Sequence, residues 1–381
     1  MKKIFIIIII VLSCIQINAQ TLSGVVYDKA TKQPIPGVNV YLDGTSIVDV
    51  TENSGKFTLS VKQIINTKLV LRLLTYHTLI IEEPFKHLPD TIYMEEQITM
   101  LGEVTVQADR FSRRQKLRAF SEQFLGTTQA GSSCRIVNEN EIQLSFHLPT
   151  KKLLASSDKP IEVINEYLGY RVLFTLDDFW AEYSDVTLSS DKALQTFCMI
   201  RTLFTDLKPN DIRIKRRRDD IYEESTKNFF KNLAYNPLFG SNTSEGEKLR
   251  EAKQNPIFRL YKDGTQINPY SYFIIRDTLS QKMIYLSDSI IEKENPDNSM
   301  LRISVLHREK ANETYYRQAN SSNSSILFVN GDSNYSSGIR FFTNSLLVDR
   351  YGNIDQVDKV FFSGLMGRIR MGDLLPMEYE P

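Results

Sequence analysis

Short stretches in which apolar and polar residues alternate dominate the chain between residues 20 and 97. Val38, Val40 and Leu42 alternate with Asn39 and Tyr41. Alternation with a period of two predicts half-buried strands. Predicted strands in this region are residues 23–27, 38–42, 57–61 (with Phe57, Leu59 and Val61 on one face) and the apolar run 69–74. Residue pattern alone therefore predicts a small, all-β first domain.

Turn residues separate these predicted strands. Residues 28–37 contain Pro34 and Pro36, which cannot donate ladder hydrogen bonds, so this segment is predicted to be a loop. Residues 53–56 (Asn-Ser-Gly-Lys) predict a tight turn before Phe57. Several short strands with turns at this spacing favour a β-sandwich.

Three ordered motifs in this region resemble the carboxypeptidase regulatory-domain-like family, a transthyretin-like β-sandwich common in exported proteins of Bacteroidota. The motifs are Gly-Val-Val-Tyr-Asp at 24–28, Pro-Ile-Pro-Gly-Val-Asn-Val at 34–40 and Thr-Glu-Asn-Ser-Gly-Lys-Phe at 51–57. Glu52 stands where the family usually has Asp, and the family's Y-x-G-Y turn is reduced to Tyr76-His77-Thr78. Residues 101–106 resemble the segment that often follows this domain, including in TonB-dependent outer-membrane receptors. The resemblance implies a domain with no catalytic residues of its own.

Beyond residue 110 the pattern predicts an α+β domain. Helices are predicted at residues 111–126 and 209–234, where apolar residues recur at helical spacing. Predicted strands include residues 142–146, 152–155, 161–164, 170–180, 258–261, 301–306, 326–329 and 345–348. Residues 237–255 are predicted to be a loop or partly disordered insert, and residues 320–325 a polar turn or linker.

Four segments of this half resemble the uncharacterised part that follows the regulatory-like domain in many Bacteroidota envelope proteins. They are residues 124–127 (Phe-Leu-Gly-Thr), 168–170 (Leu-Gly-Tyr), 229–233 (Phe-Phe-Lys-Asn-Leu) and 373–376 (Asp-Leu-Leu-Pro). This resemblance supports a location and a domain order, and implies no mechanism.

The first 19 residues have the order of a secretory signal. Lys2 and Lys3 precede the apolar run 4–12, which is too short to span a bilayer, and a polar stretch ends at Ala19. Cleavage after Ala19 is expected. Lipidation at Cys14 is the alternative, because residues 11–14 (Val-Leu-Ser-Cys) loosely resemble a lipobox.

Composition and cysteines narrow the class of protein only moderately. The 46 basic and 46 acidic residues cancel, which makes nucleic acid an unfavourable partner. Cys134 and Cys198 are the cysteines that follow the signal; they either pair in an oxidising compartment or remain two separate buried thiols.

No catalytic constellation stands out. The four histidines, His77, His87, His147 and His307, lack the H-x-x-E spacing of a zinc carboxypeptidase. Residues 156–159 (Ser-Ser-Asp-Lys) match S-x-x-K, but Pro160 and the flanking strands favour a solvated loop over a helix that would bring the lysine to the serine.

Paired acids and a basic run are also weak signals. Asp177 and Asp178 are predicted to point to opposite faces of a strand. Asp219-Asp220, Glu223-Glu224 and the basic residues 215–218 fit the charged outer face of a helix, with contact to anionic lipid or lipopolysaccharide as the alternative for the basic run. Trp180, with Phe179 and Tyr183, is predicted to join a core cluster, with a sugar-stacking platform as the alternative.

These observations predict a mainly β and α+β protein: a signal peptide at residues 1–19, a transthyretin-like β-sandwich at 20–97, a linker or strand at 98–110 and a larger antiparallel-sheet α+β domain at 111–381. The predicted function is a non-catalytic, exported cell-envelope protein that binds or scaffolds. No cofactor, metal or catalytic residue is predicted. An envelope protein or polysaccharide is the expected partner, in the periplasm or at the outer membrane. The alternatives are a hydrolase acting on envelope polymers and a component associated with TonB-dependent receptors.

Overall fold

The computed structural model describes residues 20–97, 110–236, 258–262, 265–290, 303–306 and 336–381. The chain divides into two compact units, the first built from residues up to 42 and from 47 to 99, the second from Asp43–Ser46 and Met100–Pro381. The predicted signal at 1–19, most of the predicted linker, the predicted insert at 237–255, the segments 320–325 and 326–329, and His307 lie outside the described residues.

Two small sheets form the first unit. Its strands are β1 (Gln20–Asp28), β2 (Asn39–Leu42), β3 (Val48–Val50), β4 (Lys56–Val61), β5 (Leu69–Arg72), β6 (Leu79–Ile81) and β7 (Thr91–Met94). One sheet has the order β4-β1-β7 and the other β3-β2-β5-β6. All pairs are antiparallel except β1 with β7. The sandwich expected from the turn spacing is confirmed.

Alternation decides what the sandwich buries. Phe57, Leu59 and Val61 of β4 are each at most 2% exposed, while the residues between them are exposed. Tyr41, predicted to face the side opposite Val38, Val40 and Leu42, is also buried at 4% exposed, so β2 is covered on both faces. One detail of the prediction is wrong. The predicted strand 69–74 ends at Arg72, and Leu74 is 75% exposed because a turn begins there.

The second unit contains five helices and fourteen strands among its described residues. The helices are α1 (Arg113–Leu125), α2 (Gln129–Ser132), α3 (Ile212–Glu223), α4 (Thr226–Tyr235) and α5 (Gly364–Gly367). The strands are β8 (Cys134–Ile136), β9 (Gln143–His147), β10 (Lys152–Ser156), β11 (Ile161–Asn165), β12 (Tyr170–Tyr183), β13 (Ala193–Asp206), β14 (Arg259–Lys262), β15 (Thr265–Gln266), β16 (Phe273–Asp277), β17 (Lys282–Leu286), β18 (Ile303–Leu306), β19 (Ser336–Phe341), β20 (Ser345–Val348) and β21 (Val360–Ser363). Short 3₁₀ turns lie at Glu139–Glu141, Ser190–Lys192, Pro269–Ser271, Val357–Lys359 and Met371–Asp373.

A six-stranded sheet is the largest element of this unit. Its order is β8-β11-β12-β10-β9, and β13 pairs with the other side of β12. We call the face that packs on α1 the inner face, and the opposite one the outer face. Ser112 caps helix α1: its hydroxyl accepts a hydrogen bond from the Gln115 backbone N–H, and the Gln115 side chain accepts one from the Ser112 N–H. Its Phe120 and Phe124 lie edge-on against Phe179 and Phe174 of β12, with ring centroids 4.9 and 5.1 Å apart.

A second core lies beside α4. Phe229, Phe230 and Leu233 of this helix pack with apolar residues of β14, β16, β17, β19 and β20. These strands belong to a five-stranded sheet, β15-β14-β18-β19-β21, and a three-stranded sheet, β16-β17-β20. The predicted class, mainly β with a larger antiparallel α+β part, is confirmed.

Two elements of the second unit differ from the prediction. The single helix predicted at 209–234 is two helices, because the Ser225 hydroxyl donates to the Tyr222 carbonyl (2.7 Å) and accepts from the Asn228 N–H (3.1 Å), which ends α3 and caps α4. Strand β13 was not predicted, because apolar residues occur on both of its faces and leave no alternation to detect.

Within the described residues, no helix has the length and apolar character needed to cross a membrane.

Candidate functional site

The first family-like motif ends at Asp28, which holds a turn together. Its Oδ1 accepts hydrogen bonds from the N–H groups of Ala30 (2.9 Å) and Thr31 (2.6 Å), and its Oδ2 accepts from the Tyr76 hydroxyl (3.0 Å). The hydrogen bond from the Thr31 N–H is the main reason that the pKa of Asp28 lies below its usual range. The reduced turn motif at 76–78 thus retains Tyr76, whose hydroxyl binds Asp28 and so stabilises the loop that follows β1.

The other two motifs are joined by Thr51. Its hydroxyl donates to the Ile35 carbonyl (2.7 Å) and accepts from the Val38 N–H (2.9 Å), so it fixes the proline-rich loop onto the next motif. Gly55 has φ +75°, and a Cβ there would lie 2.4 Å from the Val26 carbonyl oxygen. The motif residues of the sandwich therefore maintain its fold and do not form a reactive site.

Metal chemistry finds no support in the part of the chain that the structure describes. His77, His87 and His147 are exposed and lie in different segments, and His147 Nδ1 is 2.8 Å from the Thr150 hydroxyl. No group of three or more potential ligands occurs among the described residues.

The S-x-x-K segment does not form the helix that serine–lysine chemistry requires. Ser156 ends β10, Ser157 donates to the Lys159 carbonyl (2.7 Å), and Lys159 Nζ is 2.8 Å from Glu141 Oε1. The lysine is thus paired with an acid and not with a nucleophile.

Asp177 and Asp178 lie at a β-bulge in β12. Both fall between Leu176 and Phe179, which point to the inner face, so the register shift places both acids on the outer side. The prediction that they point to opposite faces is wrong for this reason. The Arg201 guanidinium donates two hydrogen bonds to the Asp177 carboxylate, one of them from Nε to Oδ2 at 2.9 Å.

The acid pairs of α3 end in separate surroundings. Lys215 Nζ lies 2.9 Å from both carboxylate oxygens of Asp219, which also accepts from the Tyr379 hydroxyl (2.5 Å). Asp220, Glu223 and Glu224 are exposed. This arrangement agrees with the predicted charged outer face of the helix.

The basic run 215–218 is divided between surface and interior. Arg216 is exposed, whereas Arg218 is buried, and its guanidinium binds both oxygens of Asp206 (2.7 and 2.8 Å) and the Leu168 carbonyl (2.8 Å). Burial opposes ionisation of Asp206, but the hydrogen bonds from Arg218 and the Lys208 N–H keep its pKa low. A continuous lipid-binding patch therefore does not form from these four residues.

Lys227 is a residue that sequence reasoning missed. Its Nζ donates to the carbonyls of Pro376 (3.0 Å) and Met377 (2.8 Å), and burial lowers its pKa to about 7. The Tyr222 hydroxyl and Glu378 Oε2 are buried without a hydrogen-bond partner among the described residues. Because the ammonium group of Lys227 donates to two backbone carbonyls of the C-terminal segment, this lysine fixes that segment to α4 and is not positioned as a nucleophile.

Residues within or close to three of the segments that resemble envelope proteins contact the C-terminal stretch, which contains the fourth. Thr128 Oγ1 donates to Asp373 Oδ1 (2.6 Å), and Asn165 Nδ2 donates to the Gly372 carbonyl (2.8 Å) while its Oδ1 accepts from the Leu168 N–H (2.9 Å). Lys231 Nζ lies 2.6 Å from Glu380 Oε1. Segments that are separate in sequence thus share an architectural task.

Cys134 and Cys198 are free thiols. Burial raises the pKa of Cys134 and of Cys198 to about 12. Cys134 lies on β8 and Cys198 on β13, at opposite sides of the six-stranded sheet. Of the two possibilities left open by the sequence, separate thiols are what the structure has.

The aromatic trio of β12 is split by the strand's alternation. Phe179 and Tyr183 are buried on the inner face, as predicted. Trp180 lies on the outer face, where its ring stacks on Phe197 of β13 at 5.6 Å between centroids, and Lys152 Nζ lies 3.8 Å from the centre of the same ring. The indole faces are therefore occupied by protein groups, which disfavours the sugar-stacking alternative.

Trp180 belongs to an apolar row across the outer face. Leu154 of β10 is directly opposite Trp180, which is directly opposite Phe197, and Met199 follows on β13. Leu154 is 38% and Met199 53% exposed. We call these four residues the outer-face patch. Aromatic and aliphatic side chains in an open row, with the ion pairs Lys152–Glu182 and Arg201–Asp177 beside them, have the composition of a protein-contact surface.

Comparisons with known proteins bear on the N-terminal part of the chain. No curated protein matches the chain. A family model matches residues 22–106, and its description is that of a CarboxypepD_reg-like domain, the class expected from the three motifs. Residues 22–106 are thus similar to a regulatory-like domain, which is a non-catalytic module.

Proposed function

We propose that this protein is an exported cell-envelope protein that binds another envelope protein without catalysing a reaction. The outer-face patch is the observation that carries this proposal, because it is the open apolar and aromatic surface that a binding protein needs. The regulatory-like domain at 22–106 supports the same conclusion, since such a domain offers surfaces and no reactive groups.

A protein partner is favoured over a polysaccharide. Sugar rings stack on free aromatic faces, and Phe197 and Lys152 occupy those of Trp180. Leu154 and Met199 instead offer aliphatic groups that a side chain of a partner protein can cover.

Chemical crosslinking in intact cells, followed by affinity capture and mass spectrometry, tests the proposal. Leu154→Lys is expected to lower the yield of a specific envelope protein at least tenfold, because it places a charge within the apolar contact surface. The matched control is Leu279→Lys, at a fully exposed site elsewhere in the second unit, which keeps the wild-type yield. Equal yields from all three proteins, or no partner at all, would contradict the proposal and favour a search for hydrolase activity.

The same sample settles export and anchoring. A mature N-terminus at Gln20 is the result expected from signal cleavage. An acylated N-terminal Cys14 would show a lipoprotein, and an intact Met1 would contradict export.

A further inference from the structure

Strand β13 is an edge strand of the six-stranded sheet. On the side that faces away from β12, only its C-terminal end is hydrogen-bonded to another segment of the described residues. Asp43–Ser46, which belong to the second unit, lie against Thr202–Phe204: the Gly44 N–H donates to the Thr202 carbonyl (2.8 Å) and the Phe204 N–H donates to the Thr45 carbonyl (2.9 Å). Between Ala193 and Ile200, no strand of the described residues pairs with this edge. Roughly half of this 14-residue strand is thus left without a pairing strand among the described residues.

The direction of the open backbone groups follows from that closed end. Thr202 and Phe204 direct their peptide groups away from β12, and successive residues of a strand alternate. Thr196, Cys198 and Ile200 therefore also present their N–H and C=O groups to the open edge. These groups form a template for a further strand.

The composition of this edge does not protect it from pairing. Residues 193–200 (Ala-Leu-Gln-Thr-Phe-Cys-Met-Ile) contain no charged residue, no proline and no glycine. Exposed edges are normally protected by lysines, prolines or bulges that prevent association with other strands. An uncharged edge also meets no like charge when it is placed against a copy of itself.

We propose that two copies of this chain associate through the β13 edge, in antiparallel pairing about a twofold axis at Phe197. The hydrogen-bonded pairs are then Thr196 of one copy with Cys198 of the other, and Phe197 faces Phe197. Centring the pair on Cys198 instead would place Leu194 against Thr202, whose carbonyl already binds Gly44. The bound Thr202 carbonyl therefore excludes centring on Cys198, and centring on Phe197 uses the open residues 194–200 in full.

Apolar rows support this register. The row Leu154, Trp180 and Phe197 ends at the edge of the sheet, and a second copy would continue it with the same residues in reverse order. Such a twofold contact is self-complementary and closed, so it uses up the open edge and ends at a dimer.

Sedimentation of the chain as purified from cells, over a range of concentrations, tests this association. The wild type is expected to be a dimer at micromolar concentration. In the proposed register Gln195 faces Met199 of the other copy, so the double variant Gln195→Lys/Met199→Lys places lysines opposite each other. It is expected to weaken the dimer at least tenfold, and its circular dichroism spectrum is expected to match that of the wild type, since both side chains are exposed.

A disulfide trap tests the register. Residues that face each other in a non-hydrogen-bonded pair have Cα atoms ~4.5 Å apart, which a disulfide can bridge. In a Cys198→Ser background, Phe197→Cys is expected to form a covalent dimer on mild oxidation, whereas Thr205→Cys, exposed on the same strand beyond the closed end, is not.

A monomer at all concentrations would overturn the inference, and so would a dimer that Thr205→Cys traps as well as Phe197→Cys does. Because these measurements use the purified chain without any envelope partner, their failure would leave the proposed function standing.

Discussion

Polar contacts within the sandwich and polar contacts within the second unit differ in the sequence separation of the residues that they join. In the sandwich, Asp28 and Thr51 bind groups that are between 2 and 48 residues away along the chain. In the second unit, Asn165 and Thr128 bind groups of the C-terminal segment that are 207 and 245 residues away. A local contact leaves a motif in the sequence, whereas a distant one leaves two unremarkable segments.

The two units also differ in what they offer for recognition. The motif residues of the sandwich stabilise its turns, so recognition by this unit would have to use its surface. In the second unit the polar residues that look reactive in the sequence, such as Arg218, Lys159 and Asp219, are engaged in ion pairs that maintain the fold. Among the described residues of that unit, the outer-face patch is an open apolar row that crosses three neighbouring strands.

Removing Arg218 is expected to have the largest effect on this comparison. Arg218→Ala leaves Asp206 and the Leu168 carbonyl without their buried partner, which should lower the free energy of unfolding by ~3 kcal/mol. Arg216→Ala, two residues away and exposed, is the control and should change it by less than about 0.5 kcal/mol. Denaturant titration of both variants measures the difference. Equal effects would mean that Arg218, like Arg216, is a solvated surface residue.

A smaller loss is expected from the corresponding change in the sandwich. Thr51→Val removes one donor and one acceptor from buried backbone partners and should cost about 2 kcal/mol. Thr51→Ser keeps the hydroxyl and serves as the matched control. If valine and serine destabilise the chain equally, packing of the threonine methyl group, and not its hydrogen bonds, holds the loop.

Lys227 predicts a pH dependence that belongs to the second unit. Its pKa is about 7 in the folded chain and ~10.4 in an unfolded one, so between these values the unfolded state binds more protons and stability increases with pH. Between pH 7 and 9 the gain should be about 2 kcal/mol, and Lys227→Met should abolish it. Unfolding titrations at several pH values provide the measurement; a wild type whose stability is constant over this interval would show that the lysine is solvated.

Changes in the outer-face patch are expected to have the smallest effect on stability. Leu154→Lys alters a side chain that is already 38% exposed, so the free energy of unfolding should change by less than about 1 kcal/mol. Thermal unfolding of this variant beside the wild type measures the change. A large loss would identify Leu154 as a packing residue, and its effect on partner capture would then have no bearing on recognition.

The parts of the fold that the sequence predicted are those with local signals. Alternation identified β4, β9 and β11, and helical spacing identified α1, whose capping residue Ser112 also lies next to it in the chain. Strand β13 was missed because Phe197 and Met199 on its outer face are as apolar as Cys198 and Ile200 on its inner face. That same absence of alternation makes β13 an unusual edge.

The candidate site depended on information that only the fold supplies. Trp180 was noticed in the sequence, but its neighbours there, Phe179 and Tyr183, point to the other face. Its real neighbours, Phe197 and Lys152, are brought together by strand register. The residues of this row come from β10, β12 and β13, so no regular spacing in the sequence reveals that they are neighbours.

Photo-crosslinking from within the outer-face patch tests the central claim most directly. A photo-reactive amino acid at position 154, in intact cells, is expected to attach an envelope protein, while the same group at position 279 attaches none above background. Attachment of the same protein from both positions, or from position 279 alone, would contradict the assignment of this face as the contact surface.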